Sequence, residues 1–247
     1  MTVELNIRIA SSLTEIPAAV WDACAGAPST ELSTRGQPPN PFVSHAFLSA
    51  LEQSKSVGAR TGWQPQHLIA ETADGEVLGV APCYAKSHSQ GEYVFDHGWA
   101  DAFERAGGNY YPKLQVAVPF TPVTGPRLLA RPGPLADSVR GALGDALAQV
   151  TKANGLSSAH VTFLTKEEWD LLGDRGYLQR TDQQFHWENE GYATFEDFLA
   201  ALNSRKRKTI RRERKEALAP GITLHWLTGS DLTEEVWDAF FEFYMDT

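Results

Sequence analysis

Cysteine is scarce in this chain. The 247 residues hold two, Cys24 and Cys83. Two cysteines build neither a disulfide framework nor a zinc site, so a reduced, cytoplasmic setting is the simpler expectation. Long apolar runs are missing too. None approaches the roughly 18 residues needed to span a bilayer, so no transmembrane segment is expected. The opening MTVELNIRIASS lacks a basic stretch followed by an apolar core, which argues against a signal peptide. The seven histidines are scattered, with no His-x-x-x-His or Cys-x-x-Cys pair, so no metal site is expected. Gly-x-Ser-x-Gly elbows, P-loops and dinucleotide fingerprints are absent, which argues against the hydrolase and nucleotide-binding classes that depend on them.

Basic residues are also sparse, except in one place. The chain has 22 bases and 31 acids. Eight of the bases lie between positions 205 and 215: Arg205, Lys206, Arg207, Lys208, Arg211, Arg212, Arg214 and Lys215, with Glu213 as the one acid. A basic block in an otherwise acidic chain points to contact with phosphate or another anion. The alternative is a solvated helix face paired with the protein's own acids. The surrounding stretch, Thr194 to Gly221, reads as one long helix. Thr194 and Asp197 fit a capping box, Phe195, Phe198, Leu199 and Leu202 form an apolar face, and Pro220-Gly221 ends it.

Hydrophobic content of 42% suits a packed core. Val3 to Ile9 alternates like a half-buried strand. Ser12 to Ala25 and Ser44 onward read as helices, with the loop Glu31 to Pro41 between them. Gln66 to Glu71 and Glu76 to Tyr84 flank Ala73-Asp74-Gly75, a hairpin signal. Tyr84 to Phe120 is dense in aromatics and interleaved polar groups, and Lys113 to Val118 within it reads as a strand. Leu135 to Val150 is helical, Ala159 to Leu164 a strand, Thr165 and Glu168 cap a short helix, and Leu178 to Glu188 is a last strand. Ile222 to Leu227 (strand) and Thr233 to Met245 (helix) repeat the order of the N-terminus, and Val20-Trp21-Asp22-Ala23 recurs as Val236-Trp237-Asp238-Ala239. A tandem repeat is expected, with the second copy incomplete, so that the polypeptide reads as a C-terminally truncated fragment.

This order of elements, with Gly176-Tyr177 before the last strand, resembles the GNAT acyltransferase fold. The apparent repeat, joined by a helix bearing Leu202, Asn203, Ser204, Arg205, Arg207, Ile210, Arg211, Arg212 and Lys215, resembles the FemAB-like double-GNAT proteins related to peptidoglycan aminoacyltransferases. SHAFLSALE at 44–52 and AGGNYYPKLQVAVPFTPVTGPRLL at 106–129 are similar to their predicted N-acyltransferase branch. The resemblance implies an α/β (α+β) fold with a mixed, mostly antiparallel sheet flanked by helices. It also implies a first domain over 1–192, a basic connecting helix over 193–221, and the start of a second domain over 222–247. It implies N-acyltransfer, of an acyl or aminoacyl group, to a small-molecule or cell-wall-precursor amine. Acyl-CoA or aminoacyl-tRNA would be the co-substrate of a full-length protein, with tRNA or a carrier as partner and the fragment alone inactive. One departure stands out. Where acyl-CoA enzymes of this type carry a Gly-rich pyrophosphate loop, this chain has Arg131-Pro132-Gly133-Pro134-Leu135, and the prolines lack N–H donors. That argues against CoA binding in this half.

Acyl transfer to an amine needs a proton acceptor, an oxyanion donor and a surface holding both substrates. The expected catalytic residues are His97, as a base oriented by Asp96, with Lys113 and Tyr111 as donors. Asp96, Trp99, Asn109, Tyr110 and Arg127 are expected to bind substrate, and Arg205, Arg207, Lys208, Arg211, Arg212 and Lys215 to bind phosphate. The alternative is that these aromatics are ordinary core and rim, with His97 simply hydrogen-bonded. Two rivals to the enzyme remain: a nucleic-acid-binding module using 205–215, and a non-catalytic remnant.

Overall fold

The computed structural model describes residues 4–26 and 40–247, which form two compact units, one up to Thr181 and one from Asp182. In chain order the first unit contains β1 (Leu5–Ala10), α1 (Ala18–Ala25), α2 (His45–Gln53), β2 (Trp63–Pro65), β3 (His67–Thr72), β4 (Val77–Ala81) and β5 (Cys83–Lys86). It continues with α3 (His97–Arg105), β6 (Lys113–Val116), β7 (Leu129–Ala130), α4 (Ala136–Ala153), β8 (Ala159–Val161) and α5 (Lys166–Gly173). The second unit contains α6 (Phe195–Ala201), α7 (Ser204–Leu218) and α8 (Glu234–Met245). Most of the loop expected over Glu31 to Pro41 lies outside the described residues.

The strands form two four-stranded sheets, ordered β1-β3-β4-β7 and β2-β5-β6-β8. Every pair is antiparallel except β6 with β8. Parallel strands cannot be joined by a tight turn, and α4 lies in the long connection between these two. The mixed, mostly antiparallel strand arrangement flanked by helices is therefore present, but divided. The division falls at Pro82, inside the run expected as one strand from Glu76 to Tyr84. Proline has no N–H to give a ladder, and the chain leaves one sheet at Ala81 and enters the other at Cys83. The expected hairpin is present as β3 and β4, with Gly75 at φ +82° and its N–H donating to Thr72 O at 2.9 Å.

Helix α4 covers the apolar faces of both sheets. Val139, Leu143 and Leu147 pack with Leu68, Ala81, Cys83, Leu114 and Val116. On the other side of the first sheet, Trp21 and Leu48 pack with Ile69, Val80 and Leu129. The Trp21 indole donates to Val43 O at 2.9 Å, and Asp22 accepts from the His45 N–H at 2.8 Å, tying α1 to the start of α2.

Four expectations need correction. Thr194 to Gly221 is not one helix. The Thr194–Asp197 capping box is present, but Leu202 turns extended at ψ 156° and the Asn203 side chain accepts from the Lys206 N–H, so a fresh N-cap starts α7. Leu178 to Glu188 and Ile222 to Leu227 are not strands, because they find no ladder partner among the described residues. Thr165 does cap α5, but the Glu168 carboxylate turns away to accept from the Arg127 and Leu128 N–H groups at 2.8 and 2.9 Å.

Gly79 lies close under α4: an added Cβ would lie 2.3 Å from Val139 Cγ1 and 3.0 Å from Leu129 O. Gly79→Ala is expected to overpack this contact and cost about 1–3 kcal/mol. Urea unfolding should show a lower midpoint at unchanged slope.

Candidate functional site

Strands β5 and β6 pair so that Lys86 stands directly opposite Lys113. Both side chains are fully buried. An ammonium taken out of water must be paired or lose its proton, and the site does some of each. Lys113 Nζ donates to Asp96 Oδ2 at 2.6 Å, Glu92 Oε2 at 2.8 Å and Ser89 Oγ at 2.9 Å. Lys86 Nζ lies 3.4 Å from the centroid of the Trp63 ring, donates to Gln90 O at 3.2 Å and is 3.9 Å from Glu92 Oε1.

Around this pair, Tyr110 donates to Asp96 Oδ2 at 2.8 Å, and Ser89 shares a hydrogen bond of 2.8 Å with the Tyr111 hydroxyl. The chain Tyr111–Ser89–Lys113–Asp96–Tyr110 is therefore continuous. Burial, reinforced by the neighbouring Lys113 charge, pushes Lys86 down to about 7 against the pull of Glu92. Burial raises Glu92. Burial also opposes ionisation of Asp96, yet the hydrogen bond from Lys113 and its companions keep that carboxyl below its usual range. The Tyr110 phenol is raised by burial and by its bond to Asp96. His160, edge-on to Tyr110 and bonded through Nε2 to Ser158, is pushed to about 4 by burial and by Lys113. The cluster thus holds a charge-balanced set of two amines and two carboxylates, with a hydroxyl relay leading to the half-buried Tyr111.

The structure brings together four of the expected site residues, Lys113, Asp96, Tyr110 and Tyr111, and leaves the others apart. His97 is exposed at the first position of α3, and the Asp96 carboxylate meant to orient it is turned to Lys113 and Tyr110 instead. Asn109 is exposed. Trp99 is 56% exposed, with the Arg180 guanidinium 5.7 Å from its ring. Arg127 is fully buried and donates to the carbonyls of Val123, Gly125, Pro126 and Thr162, so it braces the loop before β7 rather than facing a ligand. In the second unit, Arg205, Lys208 and Lys215 are exposed and Arg207 half-buried, while Arg211 pairs with Glu196 and Arg212 with Glu216. Lys86, Ser89 and Glu92 were missed. The available signal was a lysine at the end of each of two apolar strands, CYAK and KLQV.

A second polar cluster joins Glu52 to Ser12 Oγ, the Leu13 N–H and the buried His67 Nε2, at 2.8 to 3.2 Å. It fastens α2 to β3. Among the described residues no group of three or more His, Cys, Asp or Glu side chains could hold a metal, and no helix is long and apolar enough to cross a membrane.

Two outcomes test the cluster. Lys113→Met strands Glu92 and Asp96 in the interior, and should cost about 3–5 kcal/mol in urea unfolding. For Lys86, the unfolded amine protonates near pH 10.4 and the folded one near 7. Between those values the unfolded chain binds more protons, so stability rises with pH. Unfolding measured from about pH 7 to 10 should show that rise in the parent protein and its loss in Lys86→Met.

A family model for FemAB-like proteins, described as peptidoglycan biosynthesis/recognition, matches residues 12–247. No curated protein matches the chain. Solved structures that resemble it include three acetyltransferases. An acetyltransferase from Trypanosoma brucei is 11% identical over 75% of this chain and 100% of its own, with a TM-score of 0.39. A predicted acetyltransferase from Clostridium acetobutylicum, solved with acetyl-CoA, is 14% identical over 77% and 100%, with a TM-score of 0.43. A ribosomal-protein-alanine N-acetyltransferase from Brucella melitensis biovar Abortus is 13% identical over 75% and 99%, with a TM-score of 0.41. With the family model spanning nearly the whole sequence, the chain belongs to the FemAB-like family of peptidoglycan biosynthesis and recognition.

Proposed function

We propose that the protein takes part in N-acyl transfer, moving an acyl or aminoacyl group to an amine of a cell-wall precursor. The observation that carries this reading is the family match over residues 12–247. The lysine–carboxylate cluster offers groups suited to it. Tyr111, half-buried, stands at the outer end of a chain in which Lys113 donates to Ser89 and Ser89 shares a hydrogen bond with the Tyr111 hydroxyl, so Tyr111 is suited to donate to the oxyanion that develops as the amine attacks. Exposed Tyr93, Phe95 and Trp99, on the segment that covers the cluster and the helix after it, offer apolar surface to an acceptor. His97 has no carboxylate to orient it and takes no part in this reading. Residues 1–192 would form the acceptor-binding domain, 193–221 the connector and 222–247 the beginning of a second domain. The recurrence of Val-Trp-Asp-Ala on α1 and α8 supports that division.

The exposed bases of α7 support a second part of the reading, contact with a phosphate-bearing donor such as aminoacyl-tRNA or a carrier. Arg205 and Lys208 are the better candidates, since Arg211 and Arg212 are matched by Glu196 and Glu216.

The protein should be incubated with acyl-CoA or aminoacyl-tRNA and a peptidoglycan-precursor peptide bearing a free amine, and the acceptor weighed. The expected result is a mass gain by one acyl group, with kcat reduced about 100-fold in Tyr111→Phe. No gain with any donor overturns the proposal. For tRNA, the slope of log affinity against log salt should fall by about two in the Arg205→Ala/Lys208→Ala double variant. An unchanged slope removes α7 from the donor site.

A further inference from the structure

Among the described residues, every hydrogen bond and ion pair of the two buried ammonium groups comes from a single stretch of chain. Lys113 is held by Ser89, Glu92 and Asp96, and Lys86 by Gln90 O and Glu92. The β-sheet supplies the cations and Trp63, but none of their counterions. The stretch from Ser87 to Asp96 contains no helix or strand and is fastened at a few points. The Ser87 N–H donates to Gly62 O at 3.4 Å, Gly91 O accepts from the Phe120 N–H at 3.2 Å, and Phe95 O accepts from Arg180 at 3.1 Å. Gly91, at φ +78°, lies against the Phe120 ring so closely that a Cβ would come within 2.6 Å of it. Tyr93 sits at φ +56°, a conformation rare for residues other than glycine.

The fit is also incomplete. Glu92 Oε1 and Asp96 Oδ1 are buried without a hydrogen-bond partner, Oε1 facing Lys86 at 3.9 Å, so each carboxylate has one oxygen that accepts a hydrogen bond and one that does not. A buried acceptor without a hydrogen bond keeps its desolvation penalty, and hydration of both carboxylates on opening of the strap would relieve it. Two amines on adjacent strands would then face solvent with nothing to neutralise them.

We propose that the Ser87–Asp96 strap stands in for an acidic ligand, and that Lys86 and Lys113 form a paired cationic site for a molecule bearing two oxyanion groups, for which Glu92 and Asp96 compete. The strap is then an internal inhibitor of its own site. Apparent affinity for the ligand is the intrinsic affinity scaled by the open fraction, so loosening the strap tightens binding. The inference concerns the same site as the proposed acyl transfer, but it needs no donor, so binding and transfer can fail separately.

The test uses succinate and inorganic pyrophosphate as probes, and reads the acetylation rates of Lys86 and Lys113 with a water-soluble amine reagent by mass spectrometry. Gly91→Ala drives a methyl into the Phe120 ring and leaves both lysines and both carboxylates intact. The expected result is slow labelling of both lysines in the parent protein and labelling at least several-fold faster in Gly91→Ala. A probe should reverse the increase and bind the variant several-fold tighter than the parent. Better protection by succinate assigns the site to dicarboxylates, and better protection by pyrophosphate to phosphates. The proposal is overturned if folded Gly91→Ala leaves both lysines as slow as in the parent, or if neither probe protects them once exposed. Should Gly91→Ala fail to fold, Phe120→Ala removes the same anchor from the other side and is read in the same way.

Discussion

Two ammonium groups buried opposite each other on neighbouring strands are the constraint to which the first unit is fitted. Each needs a partner in an environment where charge interactions are several times stronger than in water. The consequences spread outward from Lys86 and Lys113. Asp96 stands at the N-cap position of α3 but makes no capping bond, because its carboxylate is committed to Lys113. Tyr110 gives its hydroxyl to the same oxygen, and Trp63 lies flat under Lys86. The strap between β5 and α3 follows a path that delivers two carboxylates, a hydroxyl and a carbonyl within a few residues.

The rest of the unit is braced in another way. Arg127 and Glu168 are both buried, and they bond to backbone rather than to each other's side chains: Arg127 to four carbonyls, Glu168 to two N–H groups. This holds the loop before β7 against the start of α5. Burial pushes Arg127 down to about 10 and raises Glu168, the expected direction for each. Here the carboxylate stands on a helix, α5, whereas the lysines depend for their carboxylates on a segment without regular structure.

Much of the local structure was legible in the sequence. Ser44, Thr165 and Thr194 mark real N-caps, the Asp-Gly turn makes a real hairpin, and the periodicity of 135–150 is that of α4. The failures have two causes. A strand exists only if it finds a partner, so Leu178–Glu188 and Ile222–Leu227 had suitable residues and no ladder. A polar side chain also has several places to go. Asn203 could continue a helix or cap a new one, and Glu168 could close a capping box or reach across to Arg127. For the site, a stretch dense in aromatic and polar residues pointed to Lys113, Asp96, Tyr110 and Tyr111. It also misled, because Asp96 and His97 are adjacent in sequence while their side chains diverge. Lys86 escaped notice because its position opposite Lys113 is a fact of strand register, which no local pattern records.

That register is itself under control. On β5 and β6, Tyr84, Lys86, Lys113 and Gln115 alternate with Cys83, Ala85, Leu114 and Val116, and the latter set packs into the core with Val139, Leu143 and Leu147. A slip of one residue in either strand would exchange the two faces and drive a lysine in among those leucines, where no carboxylate can follow. Mispaired alternatives are therefore penalised by stranded charge as well as by lost packing. The lysine pair serves as an alignment key, adding stranded charge to the penalty that the hydrophobic pattern already sets on a slipped pairing.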